Sequence, residues 1–313
     1  MLGEVMESEI RSQPRLLAEN SSRYLTELER AIGGRQFDMV LLAGRGSSDN
    51  AALFARYLIE VHLGIPVSLS APSVITRFGS DIRYRNCLAV GISQSGEAPD
   101  VAEVLEHLRG QGHVTLAITN SPGSRLTRSS EYSLDLGMGK EQAVAATKTY
   151  TASLLAVYQL VRALSGKLPE PVLPSDEWVE DCHSAAAASL GAVLRSSILF
   201  ALARGYSFCT AQETALKLME CALLPCKSYS TADFEHGPKA LAGHGSAALV
   251  YGAKPDGIED QGCLVEVAPS FGKMASSSIA EIIFGQWLAL LASRARGLDP
   301  DDPRFLTKIT RTL

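Results

Sequence analysis

The sequence predicts an α/β protein with two tandem domains, each a parallel, flavodoxin-like sheet covered by helices in an α-β-α sandwich. Three observations carry this prediction. A short apolar run ends in a glycine-rich turn, a helical stretch follows that turn, and the same order of strand, turn and helix is repeated along the chain. This alternation is typical of β–α–β units, in which consecutive strands run parallel and helices cover the sheet.

Length and composition agree with a globular protein of about two domains, since a domain typically has about 150 residues. The chain has 313 residues, of which 46% are hydrophobic and 20% are charged. A net charge of −5 argues against a nucleic-acid-binding protein, because surfaces that bind phosphate backbones are usually basic. The longest apolar run, near 282–292, is far shorter than the roughly 20 residues of a membrane-spanning helix, so no membrane partner is expected.

The N-terminal residues and the cysteines indicate a cytoplasmic protein. Glu4, Glu7 and Glu9 stand where a secretory signal peptide would be basic and then apolar. The six cysteines form no Cys-x-x-Cys pair, and we expect them to be reduced residues of the core. Neither the histidines nor the cysteines have the spacing of metal ligands, so we predict no metal and no cofactor.

The first half of the chain contains the elements of one domain. Residues 1–34 form a helical lead-in, with Pro14 as its one interruption. The first strand, 39–42, ends in Gly44-Arg45-Gly46-Ser47-Ser48, and apolar residues at helical spacing follow. A further helix is predicted over 101–108. Four further strands are predicted at 67–70, 87–92, 114–119 and 132–136.

A second copy of this arrangement starts 159 residues later. The strand-like run 197–202 precedes Arg204-Gly205-Tyr206-Ser207, which matches Arg45-Gly46-Ser47-Ser48 at three of its four positions. The turn-rich stretch 165–171 is the natural boundary between the copies. We therefore predict a lead-in over 1–34, a first domain over 35–168, a second domain over 169–297 and a C-terminal tail over 298–313.

The second copy is short. Only eleven residues, 252–262, separate the strand at 248–251 from the next strand at Cys263, whereas a parallel crossover usually needs a dozen or more residues with a helix. Either the chain has lost one β–α unit here, or residues are missing from the printed sequence. We favour missing residues, because we expect a true loss to open the middle of the sheet.

Two turns at the ends of predicted strands are candidate anion sites. Gly44–Ser48 and Gly91-Ile92-Ser93-Gln94-Ser95-Gly96-Glu97 both precede a helix, whose free N–H groups attract an anion. Parallel strands bring such turns to the same edge of a sheet, where ligands bind. Neither turn has the Gly-Lys-Ser/Thr of a nucleotide-binding loop. An ordinary serine-capped turn remains the alternative to a site for a small phosphorylated metabolite.

One predicted helix in the second copy carries a row of charges. Glu213, Lys217 and Glu220 are spaced four and three residues apart, so they share one helix face. Such a row is usually a solvated face of ion pairs. The alternative is a carboxylate that acts as a general base in a cleft.

Two further residues, His236 and Lys308, each allow a structural interpretation and a catalytic one. His236 would usually be a hydrogen-bonded surface or core residue, but an imidazole also suits general acid and base chemistry. Lys308, in the tail, would usually be solvated, but an amine in a dry pocket can attack a carbonyl to form an imine.

These motifs together resemble the SIS (sugar isomerase) domain, a phosphosugar-binding α/β fold. The resemblance begins with the two hydroxyl-rich turns, and a tandem pair of such domains is similar to the isomerase half of glucosamine-6-phosphate synthase and to the second type of glucosamine-6-phosphate deaminase. Five further blocks support it, namely Glu9-Ile10-x-x-Gln13-Pro14, Glu141-Gln142-Ala143-Val144-Ala145-Ala146-Thr147-Lys148, Ala215-Leu216-Lys217-Leu218-x-Glu220, Glu235-His236-Gly237-Pro238 and Pro303-Arg304-Phe305-Leu306-Thr307-Lys308.

The resemblance implies a role for each candidate. Glu220 would move the proton between C1 and C2, with Lys217 and Glu213 supporting ring opening and charge placement. His236 would open the sugar ring and would reach the site of a neighbouring subunit, which implies a homodimer. Lys308 would hold the open-chain form. The substrate-binding residues would be Ser47, Ser48, Ser93, Gln94, Ser95, Val144 and Thr307.

The expected reaction is the conversion of glucosamine 6-phosphate to fructose 6-phosphate and ammonia. Alternatives are a related isomerase or aminotransferase-type enzyme for another amino sugar phosphate, and a regulator that binds a phosphosugar without turnover. Two departures from the family pattern matter. Ala98 replaces a hydroxyl residue of the phosphate loop, and no glutamine-hydrolysing domain or N-terminal cysteine precedes the candidate domains, so glutamine-dependent synthesis by this chain alone is not expected.

Overall fold

The computed structural model describes residues 1–303 and residue 307. Contacts between Cα atoms divide these residues into two compact units. The first unit comprises 15–140 and 149–171, and the second comprises 1–14, 141–148 and the described residues from 172 onward. The N-terminal helices therefore contribute to different units.

The secondary structure alternates between strands and helices over most of the chain. In chain order the elements are α1 (Glu4–Arg11), α2 (Gln13–Ile32), β1 (Met39–Ala43), α3 (Ser47–His62), β2 (Val67–Leu69), α4 (Ser73–Thr76), β3 (Cys87–Ser93), α5 (Pro99–Gly110), β4 (Val114–Thr119), α6 (Arg125–Ser129), β5 (Tyr132–Asp135), α7 (Lys148–Ser165), α8 (Asp176–Arg195), β6 (Ile198–Ala203), α9 (Phe208–Ala222), β7 (Cys226–Ser230), α10 (Thr231–Glu235), β8 (Ser246–Tyr251), β9 (Leu264–Val267) and α11 (Ser277–Ala295). Short 3₁₀ turns cover Gly205–Ser207 and Pro238–Leu241.

The first unit contains a five-stranded parallel sheet in the order β2-β1-β3-β4-β5. This is the flavodoxin-like order, and all five strands predicted from the apolar runs are present. β3 is the central strand, and each of its residues is buried. The predicted helical lead-in divides after Ser12, and Pro14 lies in the first turn of α2, where a missing N–H group costs no hydrogen bond.

The second unit contains a four-stranded parallel sheet in the order β7-β6-β8-β9. β8 pairs directly with β9 in parallel, with Ala247 opposite Leu264, although the connection between them contains no helix. The expectation that a short connection would open the middle of the sheet is therefore wrong. The sheet stays continuous because β9 occupies the position next to β8.

The core of the second unit is organised around α11. Every residue from Ser277 to Leu290 is buried, and the helix packs against α8 and α9. Gly285 allows the close approach to α9, because a Cβ atom there would lie 2.2 Å from Thr214 Oγ1. No helix among the described residues is long and apolar enough to cross a membrane.

The segment after α11 is fixed to the start of α1. Asp299 accepts a hydrogen bond from the Gly3 N–H at 3.0 Å, and Asp301 accepts from the N–H groups of Val5 and Met6 at 2.9 Å each. Carboxylates in this position satisfy free N–H groups and match the positive end of the helix dipole. Together these bonds hold the described end of the second unit in place.

Candidate active site

The charged row of α9 is directed inward. Lys217 and Glu213 side chains are 1% and 0% exposed, and Lys217 Nζ lies 3.4 Å from Glu213 Oε1. Lys217 also forms a close ion pair and hydrogen bond with Glu220. Burial alone would lower the pKa of Lys217, but the two carboxylates outweigh it and raise that pKa, so the amine is held in its charged form.

The interpretation of this row as a solvated face is therefore wrong for Glu213 and Lys217. The apolar stripe beside it is the part of α9 that faces outward, with Met219 and Leu223 exposed at 42% and 49%. Burying two charges while exposing two large apolar side chains reverses the usual preference. Buried charges are common in functional sites, and exposed large apolar side chains often mark a surface that binds another protein.

Glu220 is the member of the row that reaches open space. Its side chain is 25% exposed, and it lines a cavity of about 290 Å³. The cavity is also lined by Cys221 and Leu223 of the α9 end, and by the segment that leads toward the tail, including Asp299, Asp302 and Pro303. Burial raises the pKa of the Cys221 thiol to about 12, so this cysteine is no candidate nucleophile at neutral pH.

The end of α9 is shaped by a strained residue. Leu223 adopts a left-handed conformation with φ of 52°, which glycine usually supplies at this position. The Leu224 N–H donates to the Leu218 carbonyl at 3.2 Å and closes the helix end. Backbone strain of this kind tends to occur near functional sites, and here it sits on the cavity wall.

Two of the family-like blocks meet in the second unit. Glu9 of α1 accepts a hydrogen bond from the Gln142 N–H at 2.6 Å and forms an ion pair with Lys148 at 3.6 Å. Glu141 accepts from the Thr147 N–H at 3.0 Å, which folds the loop 141–148 on itself. Val144 lies half-buried at the middle of this loop.

The loop is joined to the core that carries the charged row. Ala143 and Ala145, on either side of Val144, belong to the same hydrophobic cluster as Ala215 and Leu218 of α9. The structure thus assembles the blocks around Glu9, Val144 and Lys217 within one compact unit.

The two hydroxyl-rich turns lie at the carboxyl edge of the first sheet. β1 and β3 are neighbouring strands. Ser47 and Ser48 start α3, while Ser93 is the last residue of β3 and Gln94 and Ser95 follow it. Adjacent strands of this sheet connect in opposite directions at this point, and such switch points are where α/β sheets bind ligands. The expected clustering of the turns at one edge is therefore present.

The turns are held together by a side-chain bridge. Arg45 Nε donates to Asp100 Oδ2 at 2.7 Å, which links the turn after β1 to the start of α5. Within the second turn, Ser93 Oγ accepts from the Gly96 N–H at 3.1 Å and Ser95 Oγ accepts from the Glu97 N–H at 3.3 Å. These two serines thus fix the turn through their own backbone.

The remaining predicted residues are placed apart from these clusters or outside the described chain. His236 is exposed directly after α10, and Thr307 is exposed. Lys308 lies outside the described residues. Ala98 is the N-cap residue of α5 and provides no side-chain hydrogen bond there, so the departure from the family pattern also removes a helix cap.

Some residues that shape the site had only a weak signal in the sequence. The Arg45–Asp100 bridge was not predicted, although the recurrence of Arg45 as Arg204 pointed to a role for the arginine. Glu9 and Lys148 each belong to a family-like sequence block, but the sequence did not predict that they form an ion pair with each other. Among residues 1–303 and 307, no group of three or more His, Cys, Asp or Glu residues is arranged to hold a metal ion.

Comparison with known proteins supports the assignment of the first sheet. Residues 35–163 match the family model of the SIS domain. The resemblance to the SIS domain family is confirmed. The matched segment contains both hydroxyl-rich turns and the whole five-stranded sheet.

Similar sequences include isomerising glutamine–fructose-6-phosphate aminotransferases. The protein of Streptococcus mutans is 28% identical over 97% of this chain and 58% of its own length, and that of Methanothermobacter thermautotrophicus is 31% identical over 91% and 54%. The chain thus spans just over half the length of these curated relatives.

Solved structures with the same fold include a glucosamine-6-phosphate deaminase from Thermotoga maritima. That chain is 25% identical, with a TM-score of 0.82 over 99% of this chain and all of its own. The C-terminal domain of a glucosamine-fructose-6-phosphate aminotransferase from Francisella tularensis, at 22% identity and a TM-score of 0.75, shares the fold. These findings show that the chain has the SIS-like α/β fold and is similar to proteins of the phosphosugar isomerase type.

Proposed function

We propose that this protein is an amino-sugar-phosphate deaminase that isomerises glucosamine 6-phosphate to fructose 6-phosphate and releases ammonia. The observation that carries the proposal is the buried row Glu213–Lys217–Glu220, with Glu220 alone reaching a cavity. A solvated surface needs no such arrangement, whereas proton transfer at a sugar carbon requires a carboxylate in a shielded cleft.

Glu220 is the proposed proton carrier between C1 and C2. Removing the proton from C2 and returning it to C1 converts the open-chain amino aldose to the ketose skeleton with an imine at C2. Water then adds to C2 and the nitrogen leaves as ammonia, so that the water oxygen becomes the ketone oxygen. Lys217, charged and in contact with Glu220, fixes the carboxylate in position. Glu213 balances that charge from the buried side.

The charge around the cavity suits an amino sugar. Glu220, Asp299 and Asp302 line it, and carboxylates favour the ammonium group that such a substrate carries. Lys308 is proposed to hold the open-chain carbonyl, and Thr307 to bind the sugar beside it. Val144 is proposed to contact the substrate from the loop 141–148.

The phosphate is proposed to bind at the turns of the first sheet. Ser47 and Ser48 begin α3, and the loop of Ser93, Gln94 and Ser95 is preformed by its own hydrogen bonds. N–H groups at the start of a helix and serine hydroxyls are common phosphate donors. The tandem arrangement of two SIS domains is part of this proposal.

A homodimer is proposed, in which His236 acts in the site of the neighbouring subunit as the ring-opening acid and base. The exposure of His236 supports contact with a neighbouring subunit, and the exposed apolar side chains of Met219 and Leu223 support a partner protein. All six cysteines are buried and free of disulfides, which supports a cytoplasmic location.

The direct test measures ammonia and fructose 6-phosphate released from glucosamine 6-phosphate. Glu220→Gln should lower kcat by roughly 10²–10⁴-fold, the usual contribution of a general base, while substrate still binds. Glu60→Gln, which changes an exposed glutamate of α3, is the matched control and should keep full activity.

The alternatives predict other results. Ammonia release that survives Glu220→Gln would refute the proton-transfer role. Exchange of the C2 proton with solvent but no ammonia would favour an isomerase for another sugar phosphate. Tight binding of glucosamine 6-phosphate with neither exchange nor ammonia would favour a phosphosugar-binding regulator.

A further inference from the structure

A second, larger cavity lies at the carboxyl edge of the second sheet. Its volume is about 730 Å³, within the range of small-molecule sites. Segments that follow all four strands line it. They are Arg204–Ser207 after β6, Thr231 after β7, Gly252 and Ala253 after β8, and 268–274 after β9.

This cavity occupies the ligand-binding position of its sheet. In the order β7-β6-β8-β9, the connection from β6 leads to β7 on one side, and the connection from β8 leads to β9 on the other. The crevice beyond the carboxyl ends of β6 and β8 is therefore the switch point, the place where sheets of this kind bind ligands. The equivalent crevice of the first sheet holds the serine-rich turns after β1 and β3.

Each of the two switch points contains an arginine, and the two arginines differ in whether an acidic side chain pairs with them. Arg45 is bridged to Asp100 at the start of α5, the helix that follows β3. β8 has no helix after it, so the second sheet offers no counterpart of Asp100. Within the part of the chain that the structure describes, neither Arg204 nor the second cation of the cavity, Lys273, forms a salt bridge.

Oriented hydroxyl groups complete the lining. Ser207 Oγ donates to Glu281 Oε2 at 2.9 Å, and Thr231, Ser270 and Ser277 also face the cavity. Glu281 is 5% exposed and offers a buried acceptor for a ligand hydroxyl group. Two unneutralised cations beside hydroxyl donors and one buried acceptor suit an anion that also carries hydroxyl groups.

We infer that this cavity is a second binding site, for a phosphorylated sugar of about hexose phosphate size. Arg204 and Lys273 hold the phosphate, and Ser207 and Glu281 bind hydroxyl groups of the sugar. The site lies wholly within the second unit and is independent of the reaction proposed above. The chain therefore binds two sugar phosphates, one at each sheet.

Isothermal titration calorimetry with glucosamine 6-phosphate tests this in the Glu220→Gln background, which prevents turnover. The parent should bind two ligands per chain. Adding Arg204→Ala and Lys273→Ala should weaken one of the two events at least tenfold and leave the other unchanged. Adding Lys167→Ala and Lys227→Ala, two exposed lysines outside the cavity, is the matched control and should leave both events intact.

The outcomes separate this inference from the proposed reaction. Two events that both survive Arg204→Ala/Lys273→Ala, or a single event that survives it, would overturn the second site. A single event abolished by this variant would support the second site and count against phosphate binding at the first sheet. Urea unfolding of each variant, with unchanged midpoints, verifies that a lost event reflects binding and not folding.

Discussion

The helices that follow the first strand of each sheet, α3 and α9, carry the same charge spacing in opposite environments. Arg56 and Glu60 of α3 form an i,i+4 pair whose side chains are 46% and 38% exposed. Lys217 and Glu213 of α9 form a pair at the same spacing, with 1% and 0% exposure. The spacing thus predicts that two charged side chains form a pair, but only the surrounding fold determines whether that pair is exposed to water.

This difference separates a solvated pair from a functional one. An exposed pair contributes roughly 0–1 kcal/mol to stability, so α3 gains little from its own. A buried pair has lost the hydration of two charges, and its members depend on each other. In the second unit this loss of hydration occurs in α9, the helix whose Glu220 side chain lines a cavity.

The largest expected effect comes from removing the cation of each pair. Lys217→Met removes the buried cation beside Glu213, and we expect it to lower the free energy of unfolding by about 3–5 kcal/mol. Arg56→Met should change it by less than about 1 kcal/mol. Urea unfolding of the two variants measures both values.

A double variant shows whether the loss comes from a buried Glu213 charge that has lost its cation. Glu213→Gln/Lys217→Met should recover most of the stability, because replacing a buried ion pair by neutral side chains is often tolerated. Equal losses for Lys217→Met and Arg56→Met would show that burial does not distinguish the pairs.

A smaller effect is expected at two glycine turns, one in each unit. Gly96 and Gly205 have φ values of +65° and +64°, so alanine is strained at both. A Cβ atom at Gly96 would also lie 2.0 Å from Ser124 Oγ, whereas nothing lies within 4 Å of one at Gly205.

Gly96→Ala should therefore cost about 1–3 kcal/mol more than Gly205→Ala, the usual range for overpacking. Thermal unfolding of both variants compares them. Similar midpoints would show that the turn after β3 can accommodate an added methyl group despite its close contacts.

The smallest effect concerns the buried carboxyl group in the cavity of the second sheet. Burial raises the pKa of Glu281, although a hydrogen bond from Ser207 opposes this. The folded state therefore binds the proton more tightly than the unfolded chain. The resulting stability is full below the unfolded pKa of about 4.3 and is lost as pH rises through the higher folded pKa.

Glu281→Gln should remove this loss, so its stability relative to the unaltered protein should rise as pH increases above about 4. Unfolding curves at several pH values measure the difference. A difference that stays constant, or that shrinks as pH rises, would contradict the raised pKa.

Much of the fold could be predicted because strands of buried parallel sheets are apolar runs. All five strands of the first sheet follow such runs, and so do β6, β8 and β9. β7 was missed because Cys226-Lys227-Ser228-Tyr229-Ser230 is mostly polar, as befits an edge strand with only Cys226 buried.

The site was predicted less completely, because its chemistry depends on burial and on long-range partners. Motifs identified Glu213, Lys217 and Glu220, but their spacing favoured a solvated face and gave no sign that Lys217 is buried. Asp100 pairs with Arg45 across 55 residues, and local periodicity carries no information on such a contact. The larger cavity was not predicted either, since segments that follow four different strands line it and local periodicity does not show how they come together.

The burial of α11 from Ser277 to Leu290 bears on how the second unit unfolds. A helix with solvent on one face can exchange its amide hydrogens by local fraying, but α11 is enclosed from Ser277 to Leu290. Its amides can meet water only when α8 and α9 separate from it, which disrupts the whole core. Hydrogen exchange at α11 therefore reports the global unfolding of this unit. We expect the amides of this helix to be the most strongly protected from exchange in the unit.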